Sequence, residues 1–398
     1  MRKACLTFFI FHFSLFICYA LEFGLVLNQS IAIGNEAAKL MNGFEYRADI
    51  WPSLTYLIGD TGEFHASAGL TLGLKGKQFS FVPELMRTDI FFSFGNWGIM
   101  AGRMLYADPL GLISTGLFDG ARLSYNSTMG SFGIGVWYTG LLYKKNANIT
   151  MTEADKDIYG AALDYGDFFN TYFAPRRLLV SLDWEHPSLM EKMRLKAAIM
   201  GQVDLSGNDT YHSQYLTVKA IIPIKNIIYE FGGSIELAES DKFNIAFAVD
   251  LGVFWTLPTA FYSRLSLTGR YASGGTDGII GVFNPVTNKF HGNIINAKLP
   301  GISMLTLGYT ARINQVMGAS VNVAYFIRND LGTFNAWPVR SETGFFLGPE
   351  LYGQFVWSPY TDIQVNFGAG VFIPSLGNAG PNVKPRWRME LTAIIALL

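Results

Sequence analysis

Apolar and polar side chains alternate with a period of two along the final stretch of the sequence, residues 387–398. Alternate positions from Trp387 to Leu397 are apolar, and over the first half Arg388 and Glu390 lie between them. This period is that of a β-strand with one apolar face. Such a strand can close a sheet in lipid, where an open edge is not tolerated, but it also occurs in soluble sandwiches. Only repetition of the pattern along the chain separates the two structures.

The same alternation recurs along most of the sequence and predicts about 18 strands of roughly ten residues each. It is clearest in residues 243–255, where Phe243, Ile245 and Phe247 oppose Asn244. Half of the residues are hydrophobic and 15% are charged, whereas soluble domains carry about 25% charged residues. No segment after residue 20 has the roughly 18 consecutive apolar residues of a spanning helix. The predicted fold is therefore all-β, a transmembrane antiparallel β-barrel.

The N-terminus has the three parts of a secretory signal peptide. Arg2 and Lys3 precede an apolar segment, and Ala20 is small enough for cleavage after it. We therefore predict that residues 1–20 are removed and that residues 21–398 form a single barrel domain in the bacterial outer membrane, with outer-membrane lipid as a partner.

Both cysteines, Cys5 and Cys18, lie in the predicted signal peptide. The mature chain is then expected to have neither disulfides nor cysteine metal sites. The signal peptide contains two basic residues and no acidic one, so its removal shifts the formal net charge from −1 to −3. This charge is unlike that of a protein that binds nucleic acid.

The lengths of the connections between the predicted strands give an internal check. If both termini lie in the periplasm, the two long polar connections, residues 144–176 and 272–301, fall on the outer side. The connections on the periplasmic side are all short: 59–62, 95–96, 127–130, 186–191, 225–226, 258–259, 315–317 and 358–360. Short periplasmic turns and long outer loops are typical of outer-membrane barrels. Because no segment is large enough for a separate plug, we expect the outer loops to constrict the lumen.

Several short stretches resemble the alginate-export family of outer-membrane barrels. Residues 85–103 read LMRTDIFFSFGNWGIMAGR, similar to that family's strand, tight turn and strand ending in Gly-Arg, and residues 118–123 read FDGARL. Phe283-Asn284-Pro285 in a long loop and Gly348-Pro349-Glu350-Leu351 at the start of a late strand are also similar. Met104 and Pro349 depart from the family, which has Gln and Thr there. The resemblance implies an 18-stranded barrel with a polar lumen. Its motifs are architectural and do not carry over alginate as the substrate.

Charged residues on the polar faces of the strands are the candidates for the lumen wall, because a Lys or Arg facing lipid near the midplane costs roughly 2–4 kcal/mol. They line a permeation path or form cross-strand ion pairs that only stiffen the barrel, and one set of residues can do both. The candidates for lumen and selectivity are Arg47, Arg103, Arg122, Arg194, Lys196, Lys219, Glu230, Glu236, Asp250, Arg264, Arg270, Arg312, Arg328 and Glu350. Since both signs are interleaved, we expect weak ion selectivity.

The sequence favours no enzyme, cofactor or metal centre. His65 and Ser67 share one strand face and imitate a catalytic dyad, but a histidine on such a face more often lines the lumen. Asp155, Asp157 and neighbouring acids could bind a divalent cation, although an acidic solvated loop is the commoner case. There is no phosphate loop or nucleophile elbow.

Three functions remain open. The polar lumen favours an outer-membrane channel for small polar or charged solutes, including oligosaccharides. A surface-exposed adhesin barrel is supported only by the long loops. A transporter of hydrophobic substrates would need an apolar lumen or an N-terminal hatch, and neither is apparent. Tyr215, Tyr262 and Tyr352 could stack on sugars, although packing is the commoner use of such residues.

Overall fold

The computed structural model describes residues 21–35, 43–76, 78–190, 192–207, 210–240, 243–275, 280–334 and 338–397. The predicted signal peptide lies outside these residues. Within them an antiparallel sheet of 18 strands closes on itself, which confirms the predicted barrel and strand number. These strands are β1 Leu21–Gly34, β2 Phe44–Ile58, β3 Gly62–Lys75, β4 Gln78–Phe94, β5 Trp97–Ala107, β6 Thr115–Ser127, β7 Gly130–Tyr138, β8 Arg177–Leu189, β9 Met193–Asp204, β10 His212–Ile224, β11 Ile227–Glu239, β12 Phe243–Thr256, β13 Arg264–Ala272, β16 Ile302–Arg312, β17 Met317–Arg328, β18 Phe346–Tyr360, β19 Ile363–Phe372 and β20 Arg386–Leu397.

The barrel is closed by its two terminal strands. β1 pairs antiparallel with β20, from Leu25 opposite Leu397 to Gly34 opposite Arg388, and also with β2. The alternation at the end of the sequence therefore belongs to the strand that closes the sheet. Every other pairing in this sheet joins two of the 18 strands that are consecutive along the chain, so the barrel is an up-and-down meander.

The outer face of the barrel is apolar. On β16, Leu305 and Leu307 are exposed, and on β17 the exposed side chains at alternate positions are Val321 and Val323. A closed sheet with exposed apolar side chains at alternate positions has the outer surface that is typical of barrels of the bacterial outer membrane. Among the described residues no helix is long and apolar enough to span a membrane.

The predicted sorting of connections is confirmed. All connections at one end of the barrel are short, whereas residues 139–176 and 273–301 extend from the other end. Residues 139–176, the helical loop, contain α1 Lys144–Ala147, α2 Glu153–Gly160, a 3-10 turn Tyr165–Asp167 and α3 Phe168–Tyr172. Residues 273–301, the inner loop, contain the hairpin β14 Phe290–His291 and β15 Ala297–Lys298. A further 3-10 turn, Pro374–Leu376, lies before β20.

Both loops fold inward and build a core inside the barrel. Phe283 and Val286 of the inner loop and Ile149 of the helical loop are completely buried. They belong to one cluster with wall residues such as Phe118 and Trp137. The core packs against residues of β5–β13 and β16–β19, and a ladder of ion pairs, described below, crosses the neighbouring strands β20, β2 and β3.

Candidate permeation path

A ladder of ion pairs follows the inner wall across β18, β20, β2 and β3. Glu45 pairs with Lys75 at 2.5 Å and with Arg388 at 2.9 Å. Arg388 also pairs with Glu390 at 3.2 Å, and the Tyr352 hydroxyl donates to Glu390 at 2.9 Å. The alternation of each strand directs these groups inward because the intervening side chains, such as Trp387 and Met389, face lipid.

A second group of polar side chains surrounds Asp49 on the neighbouring strands. Arg47 pairs with Asp49 at 2.9 Å, the Thr71 hydroxyl donates to it at 2.6 Å, and Asn28 donates at 3.2 Å. The Asp49 side chain is 1% exposed, whereas that of Arg47 is 53% exposed. The carboxylate is thus buried behind its guanidinium, and the cation faces the lumen.

The helical loop forms the opposite side of this path. Tyr143, Lys145 and Asn146 approach the wall, and the Asn146 amide donates to the Glu84 carboxylate of β4. Together with wall residues that include Lys75 they enclose a cavity of about 280 Å³. Charged groups line both sides of this cavity; because the helical loop narrows the lumen here, we call this place the constriction.

The inner loop is fixed to the wall by two buried carboxylates. Glu350 on β18 accepts the backbone N–H groups of Asn293 at 2.6 Å, Ile294 at 3.0 Å and Ile295 at 2.9 Å. Glu236 on β11 accepts the backbone N–H of Asn284 at 2.7 Å. The inner loop is thus attached to both strands through its backbone, with three N–H donors on Glu350 and one on Glu236.

The Glu236 carboxylate also organises two tyrosines below the inner loop. Tyr211 and Tyr215 donate to it at 2.8 and 3.1 Å, and Tyr215 also donates to the carbonyl of Asn284. Burial raises the pKa of Tyr211, so its hydroxyl stays protonated and donates. Glu236 is therefore a loop anchor with no exposed surface.

The hairpin of the inner loop contacts a third wall position. Arg270 pairs with Asp250 at 2.8 Å, and its guanidinium lies 3.2 Å from Nδ1 of His291. Burial, reinforced by Arg270 and Lys289, lowers the pKa of His291 to about 3. The imidazole is therefore neutral at physiological pH, and its Nδ1 accepts from Arg270.

A cluster of lysines surrounds Tyr159 where the two loops meet. The ammonium groups of Lys145 and Lys298 lie 4.2 and 5.3 Å from the centre of the Tyr159 ring. Burial lowers the pKa of Lys145, and burial followed by repulsion from Lys156 and Lys145 lowers that of Lys298. The ring faces offset part of the cost of bringing these cations together.

The helical loop is attached to the barrel rim by a buried triad. Arg177 binds Asp155 at 2.5 Å and also binds Asp204, and all three side chains are at most 2% exposed. Asp155 additionally accepts the N–H groups of Met151 and Thr152 at the start of α2. The acidic residue considered above as part of a cation site or a solvated loop is thus an internal ion-pair partner.

The 14 candidate lumen residues fall into different environments. Arg47, Arg194, Lys196, Lys219, Glu230, Asp250 and Arg270 form ion pairs on the inner wall, and Arg122 lies 3.7 Å from Asp183. Arg264 lies over the Phe254 ring and Arg312 donates to turn carbonyls, both at the short-turn end.

The other four candidates do not line an open lumen. Glu236 and Glu350 anchor the inner loop, and the buried Arg328 guanidinium donates to the carbonyls of Gly344 and Ser341. Arg103 lies within the wall, 5% exposed, where it pairs with Asp119 at 2.8 Å. Strand alternation predicts which side chains point inward, but it does not distinguish a free lumen charge from one covered by a loop.

The structure also bears on two minor possibilities raised by the sequence. Tyr215 and Tyr352 are buried and donate to carboxylates, and Tyr262 lies exposed at a short turn, so none forms a sugar-stacking surface in the constriction. His65 shares a hydrogen bond of 3.0 Å with the Thr55 hydroxyl, whereas the Ser67 hydroxyl donates to the carbonyl of Arg87. His65 and Ser67 therefore form no dyad. No group of metal-ligating side chains occurs in the described part of the chain.

The alternation pattern missed the polar residues that the loops bring into the barrel. Lys145 and Asn146 lie in the short helix α1, and His291 and Lys298 lie in a hairpin with two residues per strand, where a period of two gives no information. The only signal for them was the length and polarity of the two loops.

No protein-family model matches the chain, and no curated protein matches it. Solved structures do. OccK11 (OpdR) of Pseudomonas aeruginosa is 12% identical, with a TM-score of 0.60, and the match covers 95% of this chain and 96% of that one. Two complexes from the same organism, OccK2 (OpdF) with glucuronate and OpdK with vanillate, are 11% and 9% identical, each with a TM-score of 0.62 and coverage of 95% and 98%. At these identities the likeness shows the fold alone: over nearly its whole length this chain has the same barrel fold as these structures.

Proposed function

We propose that this chain is a channel that passes small polar or charged solutes across the outer membrane through a lumen narrowed by its own loops. The observation that carries the proposal is the partly exposed ion-pair wall that faces Lys145 and Asn146 across the constriction. Such a wall is not expected in a lumen that transports apolar substrates, since charged side chains are stable on a surface only where water or a polar solute contacts them.

The bound ligands of two fold neighbours suggest the size and chemistry of the solute. OccK2 is described in complex with glucuronate, and OpdK with vanillate. Both are small monocarboxylates with hydroxyl groups. The alternating cations and carboxylates beside the constriction suit a solute of this kind, because Arg47 or Lys75 can bind its carboxylate and the partly exposed Glu45 can accept from its hydroxyls.

The resemblance to alginate-export barrels would extend the proposal to long polyanions. A narrow channel for a polyanion needs a wall field of one sign, whereas the ion pairs of this wall bring both signs together. We therefore retain small solutes as the proposed cargo. We also propose that the chain is no enzyme and needs no cofactor, since the buried polar groups described above bond to the loops and to one another.

Purified barrel in a planar bilayer tests the proposal. We expect discrete ion conductance that glucuronate and vanillate reduce from the side of the long loops, while alginate oligomers block poorly. Deleting much of the inner loop should raise single-channel conductance, because that loop fills part of the lumen. A barrel that is folded by gel mobility but does not conduct would favour the adhesin reading, and tight block by alginate oligomers would favour polyanion export.

A further inference from the structure

The barrel wall is interrupted between β4 and β5 on the side of the long loops. β4 pairs with β3 along nearly its whole length, from Gly62 opposite Phe92 to Lys75 opposite Gln78. With β5 it pairs only from Thr88 to Phe94. The outer part of β4 therefore has a neighbour on one side only, and the outer part of β5 pairs only with β6.

Local sequence features at this point explain why the strands separate. Gly102 has φ +122°, and a Cβ there would lie 2.3 Å from the carbonyl oxygen of Thr88, so β5 turns away beside its last paired residues. On β4 the register shifts where Ala66 pairs with Thr88 and Ala68 with Leu85. The bulge in β4 and the positive-φ glycine in β5 lie at the same height in the barrel, and together they bend the two strands apart.

Backbone carbonyl groups on the open edge of β4 accept hydrogen bonds from side chains, and not from a neighbouring strand. The carbonyls of Phe81 and Pro83 accept the hydroxyls of Tyr165 and Tyr172, the latter at 2.8 Å. The carbonyl of Leu85 accepts Nη1 of Arg103 at 2.7 Å. These three alternate carbonyls point to the same edge, as they must in a strand. Residues 165–172, which we call the flap, thus occupy the position of the missing strand.

The edge is unsuitable for adding a strand from another protein. Pro83 has no N–H to donate, and prolines within sheets are found at such edges because they block pairing. The two tyrosines and Arg103 already use the acceptors. An interface by strand addition is therefore excluded as the use of this gap.

The surroundings of the gap are apolar outside and polar inside. By strand alternation Leu85 and Leu105 face outward, 50% and 69% exposed, and beside the gap the loop residues Leu141 and Phe169 are 52% and 79% exposed. Directly behind the open edge lies the 280 Å³ cavity of the constriction, lined by Val82 of β4 and other residues that include Glu84 and Lys145. The barrier between lipid and cavity is a layer of aromatic rings, in which Tyr143 and Tyr172 are 4.9 Å apart.

We propose that this gap is a lateral port through which an amphiphile with one alkyl chain and a small polar head passes between the lipid and the lumen. The alkyl chain matches the exposed leucines and Phe169, and the head matches the charged cavity behind them. The flap closes the port through two side-chain hydrogen bonds from its tyrosines, far fewer than the ladder of a paired strand. The port adds a sideways route to the axial one and does not depend on which solute takes the axial route.

Single cysteines test the port, since both cysteines of the sequence lie in residues 1–20. Val82→Cys places a thiol on the cavity side of the open edge, and Ala324→Cys is the matched control on the far wall, inward-facing and similarly buried (8% and 7% exposed). In lipid vesicles each variant is treated with N-dodecylmaleimide, which the alkyl chain confines to the bilayer, and separately with water-soluble N-ethylmaleimide. The ratio of the two rates corrects for intrinsic reactivity.

We expect the dodecyl-to-ethyl ratio at Val82→Cys to be about tenfold that at Ala324→Cys, because the chain delivers the reagent from the lipid side. Adding Tyr165→Phe and Tyr172→Phe, which keep the rings but remove the bonds to β4, should raise the ratio at Val82→Cys further and leave Ala324→Cys unchanged. Equal ratios at the two positions would show that the flap is a permanent seal. A higher ratio at Val82→Cys that the tyrosine changes do not move would show that the bonds of the flap to β4 do not close the port.

Discussion

Replacing Glu350 by alanine should release the inner loop from one of its two carboxylate anchors. The carboxylate, 3% exposed, accepts three consecutive backbone N–H groups, from Asn293 to Ile295. A hydrogen bond to a charged group contributes about 1.5–3 kcal/mol, and the three bonds share one acceptor, so they are not additive. We take about 3 kcal/mol for the set, which changes the ratio of released to docked loop roughly 100-fold.

Single-channel recording measures this change. Glu350→Ala should convert a steady conductance into one that switches to a larger level, because the released loop no longer fills its part of the lumen. Glu350→Gln should behave similarly, since its amide NH₂ opposes the backbone donors. Glu185→Ala is the matched control: this carboxylate pairs with Arg194 and Lys196 on the wall and has no loop contact. If Glu350→Ala and Glu185→Ala gave the same steady conductance, Glu350 would not hold the loop.

Three further expectations follow from the structure. Cysteines placed in residues 144–176 or 280–301 should react with an impermeant reagent on intact cells, and those at Gly95 or Ser127 should not; the reverse labelling would invert the topology. Arg177→Met leaves Asp155 and Asp204 buried without their cation and should lower the free energy of unfolding by about 3–5 kcal/mol, measured as a lower unfolding temperature. Arg194→Met, in a half-exposed pair, should lower it by at most about 1 kcal/mol. Equal shifts of the unfolding temperature would show that the buried triad has no special role. Burial lowers the pKa of His291 from 6.5 to about 3, so the unfolded chain binds a proton on this residue first as the pH falls. The stability that the neutral imidazole contributes is therefore complete above pH 6.5 and is lost as the pH falls towards 3. His291→Asn should flatten the decline of stability in that window, and an unchanged decline would mean that other groups dominate it.

The strands could be predicted from the sequence because a barrel in lipid imposes one rule on each of them. β12 alternates without interruption since one face meets lipid and the other meets the interior, and its predicted and observed limits nearly coincide. Residues 78–94 alternate less regularly in the sequence. They form β4, whose register shifts beside the gap in the wall.

The constriction could not be predicted because its contacts join residues that are distant in the sequence. Glu350 binds a loop more than 50 positions away, and Asn146 reaches a carboxylate that lies 62 positions before it. Neither loop has a repeating pattern that an alternation rule could read. A buried carboxylate such as Glu236 has the same place in its strand as an exposed one, and only the loop above it decides which it becomes.

The exposure of each ion pair, and not the number of charges, sets the field that a solute meets. In most wall pairs the cation extends into the lumen and the carboxylate lies behind it: the exposed fractions are 53% against 1% for Arg47 and Asp49, and 59% against 25% for Lys75 and Glu45. An equal count of opposite charges then presents a cationic surface at short range, although the pairs cancel beyond a Debye length of about 8 Å. We therefore expect weak selectivity with a definite sign, a small preference for anions in the reversal potential under a salt gradient. Arg47→Gln with Lys75→Gln should abolish or reverse it. Cation preference in the unmodified channel would mean that Glu84 and Glu390 dominate the constriction.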